Sequence, residues 1–432
     1  MQSANKSAFT ENKKVHICVI GLGYVGLPLA MEFSKFFKVT GFDIDASRID
    51  ELINGVDRTR EVSLENFYAS KTISFTHNEP DISSANIYVV TVPTPISIFN
   101  EPDLKPLIDA TKLVGRNLKK NDLVIYESTV YPGATEIECI PLLEEISGLQ
   151  VNSHFHVGYS PERINPGDKV NTLIKIRKIT SGSNEFAADV VDSLYSKIIT
   201  AGTYLAPSIT IAEAAKILEN TQRDVNIALM NEFSEICARL SIDTLDVINA
   251  ASTKWNFSRF TPGLVGGHCI GVDPYYLIHR SKEIGYFPTI IHSARVINED
   301  MPKKISENLI SRLSKFKSLD NCRALVVGVS FKENCPDLRN SKVPELVNRL
   351  KESGVNIDVF DPCVDPLELY ESFNLNIIHE LNKSTYDCVV IAVPHAEIIA
   401  KGAQFWLDLL NETNLMCDLK SAFPKKYSDY RL

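Results

Sequence analysis

The residues best placed to do chemistry in this 432-residue chain lie in Pro262-Gly263-Leu264-Val265-Gly266-Gly267-His268-Cys269-Ile270-Gly271-Val272-Asp273-Pro274. Glycines without a Cβ let backbone approach a ligand closely or turn through positive φ. A cysteine set among them is a candidate nucleophile, because a thiolate needs access and nearby donors or positive charge. The competing reading is a small packing residue, the usual fate of an unpaired cysteine. Asp273, four residues on, adds a carboxylate.

A second group lies on a helix. Thr210-Ile211-Ala212-Glu213 has capping-box form and opens an Ala-rich helical pattern reaching about residue 240. Lys216, Asn220, Arg223 and Ile227 fall on one stripe of it. Lys216 and Asn220 are one turn apart, so both can reach one substrate oxygen. A polar stripe is otherwise a solvated face, but Ala214, Ala215, Ile217 and Leu218 beside it point to burial.

Further upstream, residues 15–20 form an apolar strand-like run, followed at once by Gly21-Leu22-Gly23-Tyr24-Val25-Gly26 and a helical run over 27–37. A second strand over 38–42 ends at Asp43. Strand, glycines, helix, strand and terminal acid make up the dinucleotide-binding fingerprint. Gly21 makes the turn, Gly23 admits the pyrophosphate, and Gly26 lets helix pack on strand, with the helix N-terminus offering N–H groups to phosphate. Asp43 would accept from ribose hydroxyls and repel a 2′-phosphate, which favours NAD over NADP; Arg48 close by argues the other way.

Strand-like runs then recur at α/β spacing over 87–92, 123–126 and 156–159, ending in Pro93-Thr94-Pro95, Glu127-Ser128-Thr129 and Ser160-Pro161-Glu162-Arg163. Ligands in doubly wound folds bind beyond the carboxyl ends of strands. Thr94, Thr129, Glu162 and Arg163 are therefore site candidates, with turn chemistry as the alternative. Helical patterns over 244–251 and 291–315 flank the cysteine loop. Strands are expected again over 323–329, 355–360 and 387–393, without a second glycine fingerprint. This second α/β unit either binds a different nucleotide or acts as a structural lid.

These elements divide the chain into a tail over 1–14, a nucleotide-binding domain over 15–206, a helical region over 207–315 that carries the cysteine, and a second α/β domain over 316–432. A net charge of −9 argues against a nucleic-acid-binding surface. No apolar run reaches the length of a membrane span, and residues 1–14 lack the apolar stretch of a signal peptide. Nine cysteines with no C-x-x-C pair suit reduced thiols in the cytoplasm and no bound metal. Cys18 and Cys388, inside apolar runs, read as packing residues.

Several motifs in order resemble the nucleotide-sugar 6-dehydrogenases, the family of UDP-glucose and GDP-mannose dehydrogenases. The resemblance runs from residue 15 to about 422. It rests on Gly21 to Gly26, Glu127-Ser128-Thr129-Val130-Tyr131-Pro132-Gly133, Ser160-Pro161-Glu162-Arg163, Ala212-Glu213-Ala214-Ala215-Lys216 with Asn220-Thr221, the Gly-Gly-His-Cys loop, and Phe331-Lys332 with Asp337 and Arg339. It implies an α/β fold of two Rossmann-like doubly wound domains joined by a long central helix in an all-helical middle region, with dimerisation there.

The implied activity is oxidation of a sugar C6 alcohol to the acid, two hydrides passing to two NAD. Lys216 serves as base with Asn220 positioning oxygen, and Cys269 forms a thiohemiacetal and then a thioester. Glu162 or Asp273 aids hydrolysis, and Thr129 holds a water. The resemblance also assigns Tyr24, Val25 and Arg339 to the cofactor, and Arg223, Gly266, Phe331 and Lys332 to the substrate. The stretches 160–168 and Lys254-Trp255-Asn256-Phe257 resemble the branch acting on N-acetylated sugars. UDP-N-acetylglucosamine is then the expected substrate, with UDP-N-acetylgalactosamine close behind. Arg163 or Asn165 would contact the amide, and the product would feed surface polysaccharide synthesis. UDP-glucose and GDP-mannose oxidation, a two-electron alcohol dehydrogenase with Cys269 merely packed, and a non-catalytic NAD-sensing scaffold are the rival readings.

Overall fold

The computed structural model describes residues 15–59, 61–62, 67, 72–164 and 170–432, with backbone only at 413 and 414. The expected tail over 1–14 and the Asn165 candidate lie outside the described residues. The chain forms two compact units. The first comprises residues up to Glu219 together with Tyr275–Gly285, and the second Asn220–Pro274 together with Tyr286–Leu432.

In the first unit the described residues form an eight-stranded sheet in the order β3-β2-β1-β4-β5-β6-β7-β8. The strands are β1 His16–Ile20, β2 Lys38–Phe42, β3 Ile73–Thr76, β4 Ile87–Val90, β5 Leu123–Tyr126, β6 His156–Tyr159, β7 Lys178–Gly182 and β8 Thr203–Leu205. All pair in parallel except β6 with β7. Parallel strands covered on both faces read as continuous apolar runs, and Ile17, Cys18 and Val19 are fully buried. β7 departs from that pattern because its polar side chains are buried and satisfied. Thr180 donates to Asp192 at 2.7 Å and Ser181 to the Tyr159 carbonyl at 2.7 Å.

A 32-residue helix, Ile209–Leu240, begins in the first unit and continues into the second. Its cap differs from the expected capping box. Ser208 Oγ accepts from the Ile211 N–H at 3.2 Å, Thr210 donates to Glu136, and Glu213 faces away from the helix start altogether. The expected stripe also shifts. Lys216 and Asn220 are buried, but the buried polar row continues to Asp224 and Asn231, leaving Arg223 exposed. At 100° per residue Arg223 sits on the margin of the covered face, where a long guanidinium reaches water.

The second unit carries a parallel sheet in the order β10-β9-β11-β12-β13, with β9 Arg323–Val327, β10 Asn356–Phe360, β11 Tyr386–Ile391, β12 Leu410–Asp418 and β13 Tyr430–Arg431. The helix expected over 291–315 is two helices, Thr289–Glu299 and Met301–Leu313, meeting at Asp300. Pro302 causes the break: it has no N–H for the i−4 carbonyl, and its ring is tolerated only in a first turn. Among the described residues no helix is long and apolar enough to cross a membrane.

Candidate active site

The glycine loop of the first unit is built for close approach. Gly21 has φ +92° and its N–H donates to the Phe42 carbonyl at 2.8 Å. A Cβ on Gly26 would lie 1.8 Å from the Gly21 carbonyl oxygen and 2.4 Å from Thr91 Oγ1, whereas one on Gly23 would meet nothing within 4 Å. Gly26 thus lets the helix Gly26–Ser34 close on the turn, and Gly23 keeps its surface open, as a pyrophosphate requires. Tyr24 and Val25 lie between them at the head of that helix.

Asp43, just beyond β2, accepts from the Leu22 N–H at 2.8 Å through Oδ2 and from the Asp45 N–H at 3.0 Å through Oδ1. It therefore shapes the loop as well as presenting charge beside it. Arg48 departs from the sequence reading. It is buried, its Nε donates to the Leu22 carbonyl at 3.0 Å, and its Nη2 pairs with Asp57 at 2.7 Å. The guanidinium braces the loop from behind and is committed to these partners instead of a 2′-phosphate.

The loops after β4 and β5 are stitched together. Thr94 Oγ1 donates to the Thr129 carbonyl at 2.6 Å, and Ser128 Oγ to the Val92 carbonyl at 2.7 Å. Tyr276, from the helix Asp273–Glu283, donates to the carbonyls of Thr94 at 2.9 Å and Pro95 at 3.1 Å. Thr129 is half-buried.

Glu162 is fully engaged: Oε1 accepts from the N–H groups of Arg163 and Ile164, both at 2.6 Å, and Oε2 pairs with Lys178 at 2.9 Å. The same Lys178 ammonium pairs with Glu127 at 2.7 Å, and Tyr195 donates to the other Glu127 oxygen. Burial pushes the Glu127 carboxyl up to about 7, against the pull of Lys178 and with a further push from Glu162. Sequence reasoning quoted Glu127 only as part of a motif and passed over Lys178 and Tyr195; a lysine inside a strand gave only a faint signal. Arg163, expected at the substrate, binds Glu219 at 2.6 Å and the Arg177 carbonyl at 2.7 Å.

Lys216 lies buried on the long helix one turn beyond Glu213, whose carboxylate accepts from the N–H groups of Gly133 at 2.6 Å and Thr135 at 3.0 Å. Glu213 thereby ties the helix to the Pro-Gly turn that follows β5. Burial raises its carboxyl to about 7, with those N–H groups opposing.

In the second unit, Cys269 is half-buried and its carbonyl accepts from the Asp273 N–H at 2.8 Å, so the thiol loop leads directly into a helix start. Asp273, buried, accepts from Asn220 Nδ2 at 2.6 Å. Thiol loop, carboxylate and amide therefore come together as one hydrogen-bonded group. A Cβ on Gly266 would lie 2.7 Å from the Asn340 carbonyl oxygen, and one on Gly267 2.8 Å from the Phe331 ring. Phe331 thus packs flat on the double glycine, and Asn340 donates to the Gly267 carbonyl at 3.2 Å.

His268 Nε2 is buried without a hydrogen-bond partner among the described residues, and burial, then the nearby Arg339 charge, lowers this imidazole to about 4 despite Asp337. Arg339 itself forms a forked pair with Asp337, at 2.6 Å for Nη2. Lys332 lies over the Phe331 ring at 5.4 Å. A small cleft lined by Gly266, Phe331, Lys332, Glu333, Lys342 and Lys420 sets three lysines beside one glutamate, with Lys342 paired to Glu299; the excess of positive charge suits an anionic ligand. Lys342 and Lys420 were not anticipated. Behind this cleft His395 is clamped: its Nδ1 accepts from the Asn334 N–H at 2.9 Å and its Nε2 meets Asp361 at 3.1 Å. Asp361 also takes N–H groups from Val329 and Cys363. With these atoms committed to the fold, the Asp361, Cys363 and His395 grouping reads as an anchor for the loop over 330–335.

A largely parallel sheet with the glycine fingerprint at its switch point defines a dinucleotide-binding protein. The chain matches the UDP-glucose/GDP-mannose dehydrogenase family models: the NAD binding domain over residues 15–199, the central domain over 210–300 and the UDP binding domain over 325–425. It is 49% identical over 97% of its length to the UDP-N-acetyl-D-glucosamine 6-dehydrogenase of Pseudomonas aeruginosa, covering 100% of that protein. It is 48% identical to the Salmonella typhi protein of the same name, over 97% of this chain and 99% of the other. The solved UDP-D-ManNAc dehydrogenase of Pyrococcus horikoshii superposes with a TM-score of 0.88 at 30% identity, covering 96% of this chain and 98% of that one. The chain belongs to the UDP-glucose/GDP-mannose dehydrogenase family. It is an NAD-dependent dehydrogenase acting on nucleotide sugars.

Proposed function

We propose that the protein oxidises C6 of a UDP-N-acetylhexosamine, UDP-N-acetylglucosamine foremost, to the uronic acid. The observation that carries this reading is the group in the second unit in which the loop bearing Cys269 is hydrogen-bonded to Asp273 and Asp273 to Asn220. The substrate rests on the two bacterial relatives named for UDP-N-acetylglucosamine.

Two NAD molecules, bound in turn, would each supply the acceptor for one hydride, and the open face at Gly23 and the acid at Asp43 are the features that would hold them. The chain's own residues do the rest. Lys216 takes the hydroxyl proton and Asn220 holds the oxygen. The Cys269 thiolate adds to the aldehyde carbon, so that the second oxidation leaves a thioester. Water then opens the thioester to the acid, returning the thiol, with Glu162 or Asp273 as the carboxylate concerned. Lys332 and Arg339 serve the phosphates.

We read the domains as 15–206, 207–315 and 316–432. We place the enzyme in the cytoplasm, supplying surface-polysaccharide precursors as a homodimer. Exposed Ile211, Leu218, Leu229, Ile236 and Leu240 along one face of the long helix support association there.

Counting NADH per sugar tests the chemistry: two for this reading, one for an alcohol dehydrogenase, none for a scaffold. Cys269→Ser should bind NAD normally yet form no acid. A panel including UDP-glucose and GDP-mannose tests the substrate, and a higher kcat/KM on either would overturn the N-acetyl assignment.

A further inference from the structure

Lys178 is 2% exposed in β7, and its ammonium lies between two carboxylates, Glu127 Oε2 at 2.7 Å and Glu162 Oε2 at 2.9 Å. Glu127 is likewise buried and Tyr195 fully so, with the lysine 5.4 Å above the tyrosine ring. Three elements thus converge on one charge: the end of β5, the segment after β6, and the helix Glu185–Ser196. We propose that Lys178 is a positioning residue that holds the Glu162 carboxylate for opening of the thioester, and that Glu127, sharing the same ammonium, sets how tightly Glu162 is held. This rests on the thioester chemistry proposed above.

The charges in this buried group are unequal. One ammonium faces two carboxylates, so when both are ionised the buried group carries a net negative charge that water does not screen. With Glu127 protonated, Lys178 serves Glu162 alone. Together with the Arg163 and Ile164 N–H groups it then ties down both Glu162 oxygens. With Glu127 ionised, the ammonium is shared and a second negative charge lies close by. Both effects loosen the hold of the ammonium on the Glu162 oxygen. Lys178, Glu162 and Tyr195 are the titratable groups that face Glu127. Because burial brings Glu127 to about 7, the switch between these states falls near neutrality. Ionisation of Glu127 as pH rises therefore frees the Glu162 carboxylate to meet the attacking water. The step is a proton transfer only: water gives its proton to the carboxylate as its oxygen bonds to the acyl carbon, and the Cys269 sulfur leaves as thiolate.

The test uses the full chain in single-turnover reactions with UDP-N-acetylglucosamine and NAD. It follows NADH and the acyl adduct on Cys269 by acid quench and mass spectrometry from pH 6 to 9. In wild type, adduct decay should quicken as pH rises through neutrality. Glu127→Gln, nearly isosteric, should slow adduct decay on the order of tenfold at high pH and flatten that rise, with the first NADH formed at the wild-type rate. Lys178→Met should lengthen adduct lifetime by about 100-fold, the scale of lost acid–base help. Because that variant strands two buried carboxylates, Lys178→Met with Glu127→Gln is the control for folding. It should melt closer to wild type than Lys178→Met while hydrolysing no faster. Adduct lifetimes and a pH profile equal to wild type in Glu127→Gln, or in the double variant, would overturn the proposal. Wild type yielding two NADH with unaltered variants sinks this inference alone, whereas fewer than two NADH sinks the thioester reading beneath it.

Discussion

Asn231 grips Gly263 by both of its backbone groups: Oδ1 accepts the Gly263 N–H at 2.7 Å and Nδ2 donates to the Gly263 carbonyl at 3.0 Å. The same Nδ2 reaches Asn298 Oδ1 at 2.8 Å, Asn298 donates to Asp224 at 2.7 Å, and Arg295 pairs with Asp224 at 2.6 Å. All four side chains are buried. The entry to the cysteine loop is thus hung from the long helix by an amide that matches a peptide donor for acceptor. Burial makes the arrangement stiff, because neither peptide group has water as an alternative.

Asn231→Ala should therefore cost upwards of about 3 kcal/mol, since it takes a partner from the Gly263 N–H, the Gly263 carbonyl and Asn298 Oδ1, at about 1–3 kcal/mol each. It should also speed alkylation of Cys269 at a fixed pH. Urea unfolding and timed iodoacetamide labelling check both. Unchanged labelling would mean that the loop holds its shape without this anchor.

Gly26→Ala should weaken NAD binding at least tenfold while the protein stays folded, since the added methyl collides with the Gly21 carbonyl and the loop must open. Gly23→Ala, with nothing within 4 Å of its Cβ, should fold like wild type and lose affinity only through the incoming pyrophosphate. Calorimetric titration with NAD and thermal melting separate the two effects. Equal NAD affinity in Gly26→Ala and wild type would refute the close-approach role.

Asp43 predicts a strong preference for NAD, because a carboxylate beside a 2′-phosphate is a like-charge clash. Asp43→Asn should narrow the NAD-to-NADP ratio of kcat/KM while keeping an acceptor for the Leu22 N–H. Asp43→Ala should weaken both cofactors, since the loop loses that tie. Arg48→Ala should destabilise the fold without changing the ratio, because its partners are Leu22 and Asp57.

Two buried groups should give opposite pH dependences of stability. Glu213 has a folded-state pKa raised by burial to about 7 from 4.5, so the folded state binds more protons in that window and stability falls as pH rises through it. His268 is lowered by burial to about 4 from 6.5, so the unfolded state binds more protons there and stability falls as pH drops from 6.5 toward 4. Each should amount to roughly 3 kcal/mol at about 1.4 kcal/mol per unit. Glu213→Gln should flatten the first dependence and His268→Asn the second, read as urea midpoints from pH 4 to 8. A Glu213→Gln profile superimposable on wild type would show that the buried carboxyl stays ionised.

Local pattern accounts for much of the fold. The bounds of β2, β5 and β6 and of the helix Thr244–Ala251 follow from residue type alone, because a strand covered on both faces has to be apolar throughout. The glycine loop was equally legible, since no other residue fits where Gly26 meets Gly21. Cys18 and Cys388 are buried in strands, as their neighbours required.

What the sequence could not reveal is which partner each charge takes. Lys178 is 51 residues from Glu127, and Tyr195 is 68 from that same acid, yet they share one buried group. Glu213 reads locally as a helix cap and serves instead the turn at Gly133, 80 residues away. Arg48 reads as a phosphate ligand and braces Leu22. Periodicity and glycine placement are properties of a few consecutive residues, so the sequence by itself determined the apolar strands β1, β2, β4 to β6 and β9 to β11, the nucleotide loop and the cysteine loop, while β3, β7, β8, β12 and β13 went unread. A charge withdrawn from water must be paired wherever the fold brings it an opposite charge, so only the tertiary structure decided the partners of Lys178, Glu213 and Arg48.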